Sequence, residues 1–215
     1  MNKYLSVCIL LLAAASCKKD SIEGSGPIAT EQRNVSDFTS VFVSGSTNVY
    51  ITKSDHFSVQ VKGYSNLIPY LETKKENQSL LIAFKPNANV RNDNTEVFIT
   101  MPSLTGVSTS GSAGITTTGT FSAADFNASI SGSGNISLET GEADKYLISI
   151  SGSGKVKSFG FIARAADITI NGSGDAEVQV SQNLKANISG SGNIYYKGNP
   201  VVDSHVSGSG KLIKQ

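Results

Sequence analysis

The chain has 215 residues, 39% of them hydrophobic and 16% charged, with a formal net charge of +1. That is enough apolar material for one domain with a sizeable core, and too little charge for a disordered tail protein. The near-neutral balance gives no electrostatic footprint for nucleic acid as a partner.

In chain order, Asn2-Lys3 followed by the apolar run from Leu5 to Ala15 reads as an export signal, 1–16, too short to span a bilayer as a helix. The run ends in Ala14-Ala15-Ser16-Cys17, which resembles the lipobox of bacterial lipoproteins, so Cys17 is the expected lipidation site and mature N-terminus. Cys8 falls in the removed segment, so no disulfide is left to stabilise the fold. Acyl chains on Cys17 would anchor the protein to a membrane without spanning it. Residues 17–30, polar and punctuated by Gly24, Gly26 and Pro27, read as a flexible tether.

From residue 31 to the C-terminus the chain reads as a single β-solenoid, with irregular N-terminal coils over 31–107 and repeat coils over 108–215. Ser/Asn-Gly-Ser-Gly recurs at Ser131, Ser151, Asn171, Ser189 and Ser207, at spacings of 20, 20, 18 and 18. A degenerate copy starts at Ser110, and another at Ser44, 66 residues earlier, which suggests three intervals of 22. Ile130, Ile150, Ile170, Ile188 and Val206 precede the first glycine, and Ile136, Val156, Ala176, Ile194 and Leu212 follow it at four residues. Apolar residues at period two mean strand, and one motif per 18–22 residues means stacked equivalent turns. The fold class is therefore all-β, a single-stranded parallel β-helix. If alternation runs through the motif, the glycines face inward and the serines form exposed ladders; if the chain bends there, the serines turn inward.

Val41-Phe42-Val43-Ser44-Gly45-Ser46, Val97-Phe98-Ile99-Thr100-Met101-Pro102-Ser103-Leu104 and the serial Ile-Ser-Gly-Ser-Gly copies resemble the auto-transporter adhesin "head GIN" domain family of Gram-negative lipoproteins. The resemblance covers nearly all of the mature chain. It implies a right-handed solenoid and a role in adhesion at the cell envelope, as an outer-membrane lipoprotein on the periplasmic or surface face.

No catalytic or cofactor signature stands out. Gly154-Lys155 and Gly210-Lys211 are not followed by the hydroxyl a phosphate loop needs, and the dinucleotide glycine pattern is not completed. The residue after each second glycine is Asn135, Lys155, Asp175, Asn193 or Lys211, too few carboxylates for a calcium stack, and His56 and His205 are the only histidines. No cofactor and no metal are expected. Because parallel β-helices include polysaccharide lyases and hydrolases, Asp144 with Arg164, and Asp125 with Lys145, form the one charged cluster to weigh as catalytic; the alternative is a surface ion pair. For binding, Tyr195 and Tyr196 are candidates to stack on a sugar, and Asn87, Asn89, Arg91 and Asn92 lie in a polar stretch expected to be a recognition loop. The expected function is a membrane-anchored binding module for a glycan or a cell-surface protein; a β-helix enzyme and a structural spacer are the alternatives.

Overall fold

The structure, a computed structural model, describes residues 21–215. The export signal and Cys17 lie outside the described residues. The N-terminal part contains β1 (Ser21–Glu23), β2 (Ile28–Arg33), β3 (Ser40–Gly45), β4 (Asn48–Lys53), β5 (Ser58–Tyr64), β6 (Leu71–Glu76), β7 (Ser79–Phe84), β8 (Asn89–Arg91) and β9 (Glu96–Met101). A single 3-10 turn, Ile68–Tyr70, precedes β6. The repeat part contains β10 (Gly106–Gly111), β11 (Gly114–Gly132), β12 (Asn135–Gly152), β13 (Lys155–Gly172), β14 (Asp175–Gly190), β15 (Asn193–Lys197), β16 (Val201–Gly208) and β17 (Lys211–Lys214).

From β10 onward every pairing is parallel, and each repeat stacks on its predecessor in the register set by the glycines. Gly111, Gly132, Gly152, Gly172, Gly190 and Gly208 form one continuous ladder. The long strands bend as they go. In β12 alternation breaks at Glu139-Thr140 and at Asp144-Lys145, where neighbouring residues are both exposed. Two such breaks divide the coil into three straight segments, each with its own inward face. The change of spacing from 20 to 18 is absorbed at these corners: β14 skips the places of Phe159, Gly160 and Phe161 and adds one residue at Ser181-Gln182.

Alternation does run through the motif. Ile130 and Ile136 are buried, Gly134 is buried between them, and Ser131 and Ser133 are exposed, as are their counterparts in later coils. The turn is closed by a repeated backbone arrangement in which Ser133 and Gly134 N–H both donate to the Gly111 carbonyl, at 2.9 and 3.0 Å. Glycine is required at both places. Gly152 has φ +123°, and a Cβ there would also collide with the Gly132 carbonyl oxygen; a Cβ on Gly154 would strike the Gly134 carbonyl oxygen and the Ile130 side chain.

The 66-residue interval is a single step, not three coils of 22. Gly45 pairs directly with Gly111, and Val49 to Thr52 with Ile115 to Thr118. The intervening residues fold back to the opposite side of the β3–β4 coil, where β7 stacks parallel on β3 and β9 parallel on β4. Beyond them the pattern turns antiparallel, with β6 on β7, β5 on β9, and β2 on β5. The N-terminal coils are thus not a uniform parallel stack. The reason is geometric: an antiparallel partner can return through a short loop and close off a solenoid end, whereas a parallel partner needs a full crossover.

The segment expected as a tether is partly structured. Ser21–Glu23 pairs with Asn89–Arg91, and Ile28 to Thr30 begin the edge strand β2, with Gly24 N–H bonded to the Arg91 carbonyl at 2.8 Å. Polar composition concealed these strands because both lie on an edge, where few apolar contacts are made.

One core runs the length of the rod, from Phe38, Val43 and Leu80 to Ile188 and Ile194. At its middle, Phe126, Tyr146 and Phe161 form an aromatic cluster with centroid separations of 4.8–5.8 Å. The Tyr146 hydroxyl is buried there without a partner at hydrogen-bonding geometry, while the Ser158 hydroxyl donates to the Glu177 carbonyl at 2.6 Å. Burial pushes the Tyr146 phenol well above its ordinary range, and Ser158 offsets only part of that.

Candidate binding face

Period two sends Asn48, Tyr50 and Thr52 outward from β4, Glu96, Phe98 and Thr100 outward from β9, and Ser58, Gln60 and Lys62 outward from β5. Register brings these into rows, with Phe98 between Tyr50 and Gln60, and Glu96 between Asn48 and Lys62. The Tyr50 and Phe98 rings stack at 5.1 Å and 16°. Phe98 is 37% exposed, and Ile28, on the edge strand of the same face, is 51% exposed. The Tyr50 hydroxyl donates to Glu96 Oε1 at 3.4 Å, and Lys62 Nζ lies 3.5 Å from Glu96 Oε2 and 6.0 Å from the Phe98 ring centre.

Beside this aromatic ledge lies an open depression of about 380 Å³, to which Ser46, Asn48, Lys62, Asp93, Asn94 and Glu96 contribute. Its walls are held by hydrogen bonds. Asp93 Oδ1 accepts from Thr95 N–H at 2.8 Å and Thr95 Oγ1 at 2.7 Å, and its Oδ2 accepts from Ser46 Oγ at 3.0 Å. Asn94 Oδ1 accepts from Tyr64 N–H and Asn48 Oδ1 from Gly114 N–H, both at 2.9 Å. Both asparagines thus spend their carbonyl oxygens on backbone, which leaves their amide N–H groups as donors for a ligand. An apolar ledge next to fixed donors and acceptors can take a molecule with one apolar face and many hydroxyls.

The residues singled out from sequence lie elsewhere and do not converge. Tyr195 and Tyr196 sit on opposite sides of β15, since adjacent strand residues alternate: Tyr196 packs on the core, and Tyr195 faces outward over a second depression with Lys155, Lys157, Asp175 and Glu177. There, burial works against the Asp175 charge, but Lys155 Nζ at 3.0 Å and two hydrogen bonds from Asn193 outweigh it and hold the carboxyl below its ordinary value. Asn89 and Arg91 belong to β8, and Asn92, at φ +50°, donates its amide to the Gly24 carbonyl at 3.0 Å, a structural bond; Asn87 is exposed in the preceding turn. That stretch is therefore not a loop thrown clear of the rod.

Asp144 and Arg164 do pair across adjacent coils, at 3.0 Å, with side chains 58% and 62% exposed. They line a shallow open hollow of about 470 Å³ with Ser122 and Glu142, and Ser122 donates to Glu142 at 3.1 Å. Such exposed pairs contribute at most about 1 kcal/mol. Asp125 lies opposite Lys145 in register on the same corner. Among the described residues no three His, Cys, Asp or Glu side chains converge as metal ligands, and no helix is long and apolar enough to cross a membrane.

Tyr50 and Phe98 were not found by motif because nothing in the sequence joins two positions 48 residues apart. The available signal was Val97-Phe98-Ile99, an aromatic placed on the outward phase between two inward β-branched residues.

Among solved structures, the fold resembles a putative adhesin from Bacteroides fragilis, with 20% identity and a TM-score of 0.72 over 91% of this chain and 100% of that one. A putative adhesin from Parabacteroides distasonis is 27% identical with a TM-score of 0.62, again over 91% and 100%. A putative lipid binding protein from the same species is 26% identical with a TM-score of 0.54 over 91% and 100%. A search of curated proteins returns no match. Residues 37–200, which hold the ledge, the depression and most of the glycine ladder, match the family described as "putative auto-transporter adhesin, head GIN domain", and the chain belongs to that family.

Proposed function

We propose that the protein is an adhesin-like module that binds a glycan on the Tyr50–Phe98 face, and that an acylated Cys17 tethers it to the outer membrane of a Gram-negative cell. The observation that carries the binding assignment is the stacked, part-exposed ring pair beside a depression whose polar walls are already fixed by hydrogen bonds. Preorganised polar groups lower the ordering cost of capture, and a ring supports the C–H face of a sugar. Support for a non-enzymatic role comes from the family and from the open, solvent-screened setting of Asp144 and Arg164.

The test is a glycan array probed with the wild type, Phe98→Ala and Tyr195→Ala. Phe98→Ala is expected to weaken binding about tenfold or more, a stacking loss of roughly 1–2 kcal/mol, and Tyr195→Ala to leave it unchanged. Binding that is indifferent to Phe98 would move the site elsewhere, and release of reducing or unsaturated sugar ends would favour a β-helix enzyme. Anchoring is checked separately by acyl-probe labelling: Cys17→Ala should lose the label and leave the membrane fraction.

A further inference from the structure

The two ends of the rod are finished differently. At the N-terminal end the outermost strands carry charge, Glu31 and Arg33 on β2 and Lys74, Lys75 and Glu76 on β6, which discourages further strand pairing. At the other end β16 continues the inner ladder, with Val202 over Leu184, Ser204 over Ala186 and Val206 over Ile188. Leu184 and Ile188 are each 1% exposed, but Val202 and Val206 are 39% and 40% exposed, since among the described residues nothing covers them from the far side. All eight residues of β16 are exposed, and its free edge holds neither lysine nor proline. The accompanying strand β17 is guarded by Lys211 and by Lys214, whose Nζ donates to Asn199 Oδ1 at 2.7 Å.

The sequence of β16 is self-complementary about its centre. Val202-Asp203-Ser204-His205-Val206 places an acidic and a basic side chain symmetrically around Ser204, with a valine outside each. In an antiparallel pair centred on Ser204, Val202 of one copy meets Val206 of the other on the inner face. On the outer face each Asp203 carboxylate meets a His205 imidazole, twice by symmetry. A centre on Asp203 would oppose two carboxylates, a centre on His205 two imidazoles, and a centre between residues would set inward side chains against outward ones. Lys185 and Asn187 are the β14 neighbours of Asp203 and His205 in register, and neither places a further negative charge against the carboxylate.

We propose that this end is a homophilic contact in which β16 of two copies pair antiparallel about a two-fold axis through Ser204. The association is isologous and closes at two copies. It covers the valines left open at the end of the core and joins two rods tail to tail, with their N-terminal ends pointing apart. Only this last consequence rests on the anchoring proposed above: copies joined this way would bridge two facing membranes.

The experiment uses residues 21–215, the whole described fold, which contains no cysteine of its own. Sedimentation over a range of concentrations should show a monomer–dimer equilibrium. His205→Asp, which sets carboxylates against each other in both rungs, should weaken it about tenfold. The double variant Asp203→His/His205→Asp exchanges the partners in each rung and should restore it. Ser204→Cys should form a cross-linked dimer on mild oxidation, because the two cysteines would face each other at strand-pair distance, and Asp203→Cys should not. A chain that stays monomeric with no Ser204→Cys cross-link overturns the proposal, as does a dimer indifferent to both charge changes. Glycan binding does not enter any of these readouts, so failure here leaves the Tyr50–Phe98 site untouched.

Discussion

The repeat coils and the N-terminal coils build the same glycine ladder by different means. From Gly111 to Gly208 each rung is reached after 18–21 residues, and every glycine bears on the carbonyl of the one before it. Gly45 joins the ladder from 66 residues away, and no atom lies within 4 Å of where its Cβ would be, because the coil beneath it pairs only as far as Ser44 with Ala83. Uniform stacking rigidifies the rod, and along the Gly-Ser-Gly turn it leaves a repeating surface of serine and asparagine. Interrupting it at one end brings strands of unrelated sequence side by side, and the aromatic ledge arises there. In this fold, structural repetition and the candidate binding chemistry are segregated.

The strongest way to break the comparison is to load the repeat core. Ile150 is fully buried in the ladder and Ser153 is exposed. Ile150→Asp should destabilise by about 4 kcal/mol or more, since it buries a charge without a partner, and Ser153→Asp by about 0.5 kcal/mol or less. Urea melts of the two variants check this, and equal losses would contradict the observed alternation.

A smaller and more discriminating effect separates the two regions directly. Gly45 and Gly152 share a positive φ, +116° and +123°, so alanine strains the backbone equally at both. Only at Gly152 does the new methyl also meet the coil below. Gly45→Ala should cost about 1 kcal/mol and Gly152→Ala about 3 kcal/mol. Matching losses would mean that coil-to-coil contact adds nothing beyond local conformation.

A third effect has the opposite sign. Tyr146→Phe removes a buried hydroxyl that has no partner, and should stabilise the fold by about 1 kcal/mol. Its pH dependence sharpens the result. The folded state keeps the phenol proton beyond the pH at which the unfolded chain loses it, so wild-type stability is intact below about pH 10 and falls as pH rises above that. The phenylalanine variant should lack this alkaline loss; parallel decline of both proteins in thermal melts at pH 9 to 11 would contradict the burial assigned to the hydroxyl.

Much of the rod is legible in the sequence. The isoleucines before and after each Gly-Ser-Gly, the parallel stacking of 108–215 and the pairing of Asp144 with Arg164 all follow from period two and a fixed return interval, which are local properties, whereas the outward direction of the motif serines was settled only by the fold. What composition and spacing alone determined was this: an all-β chain, coiled once per repeat, with glycine at the turn. Tertiary structure decided the rest. It made the 66-residue interval one step, drew Ser21–Glu23 and Ile28–Arg33 into pairing, split Tyr195 from Tyr196, and set Tyr50 against Phe98. The physical reason is that non-repeating strands carry no internal ruler: their partners are selected by which edges remain unpaired and which apolar faces remain uncovered once the regular coils have formed, and neither quantity exists until the chain has folded.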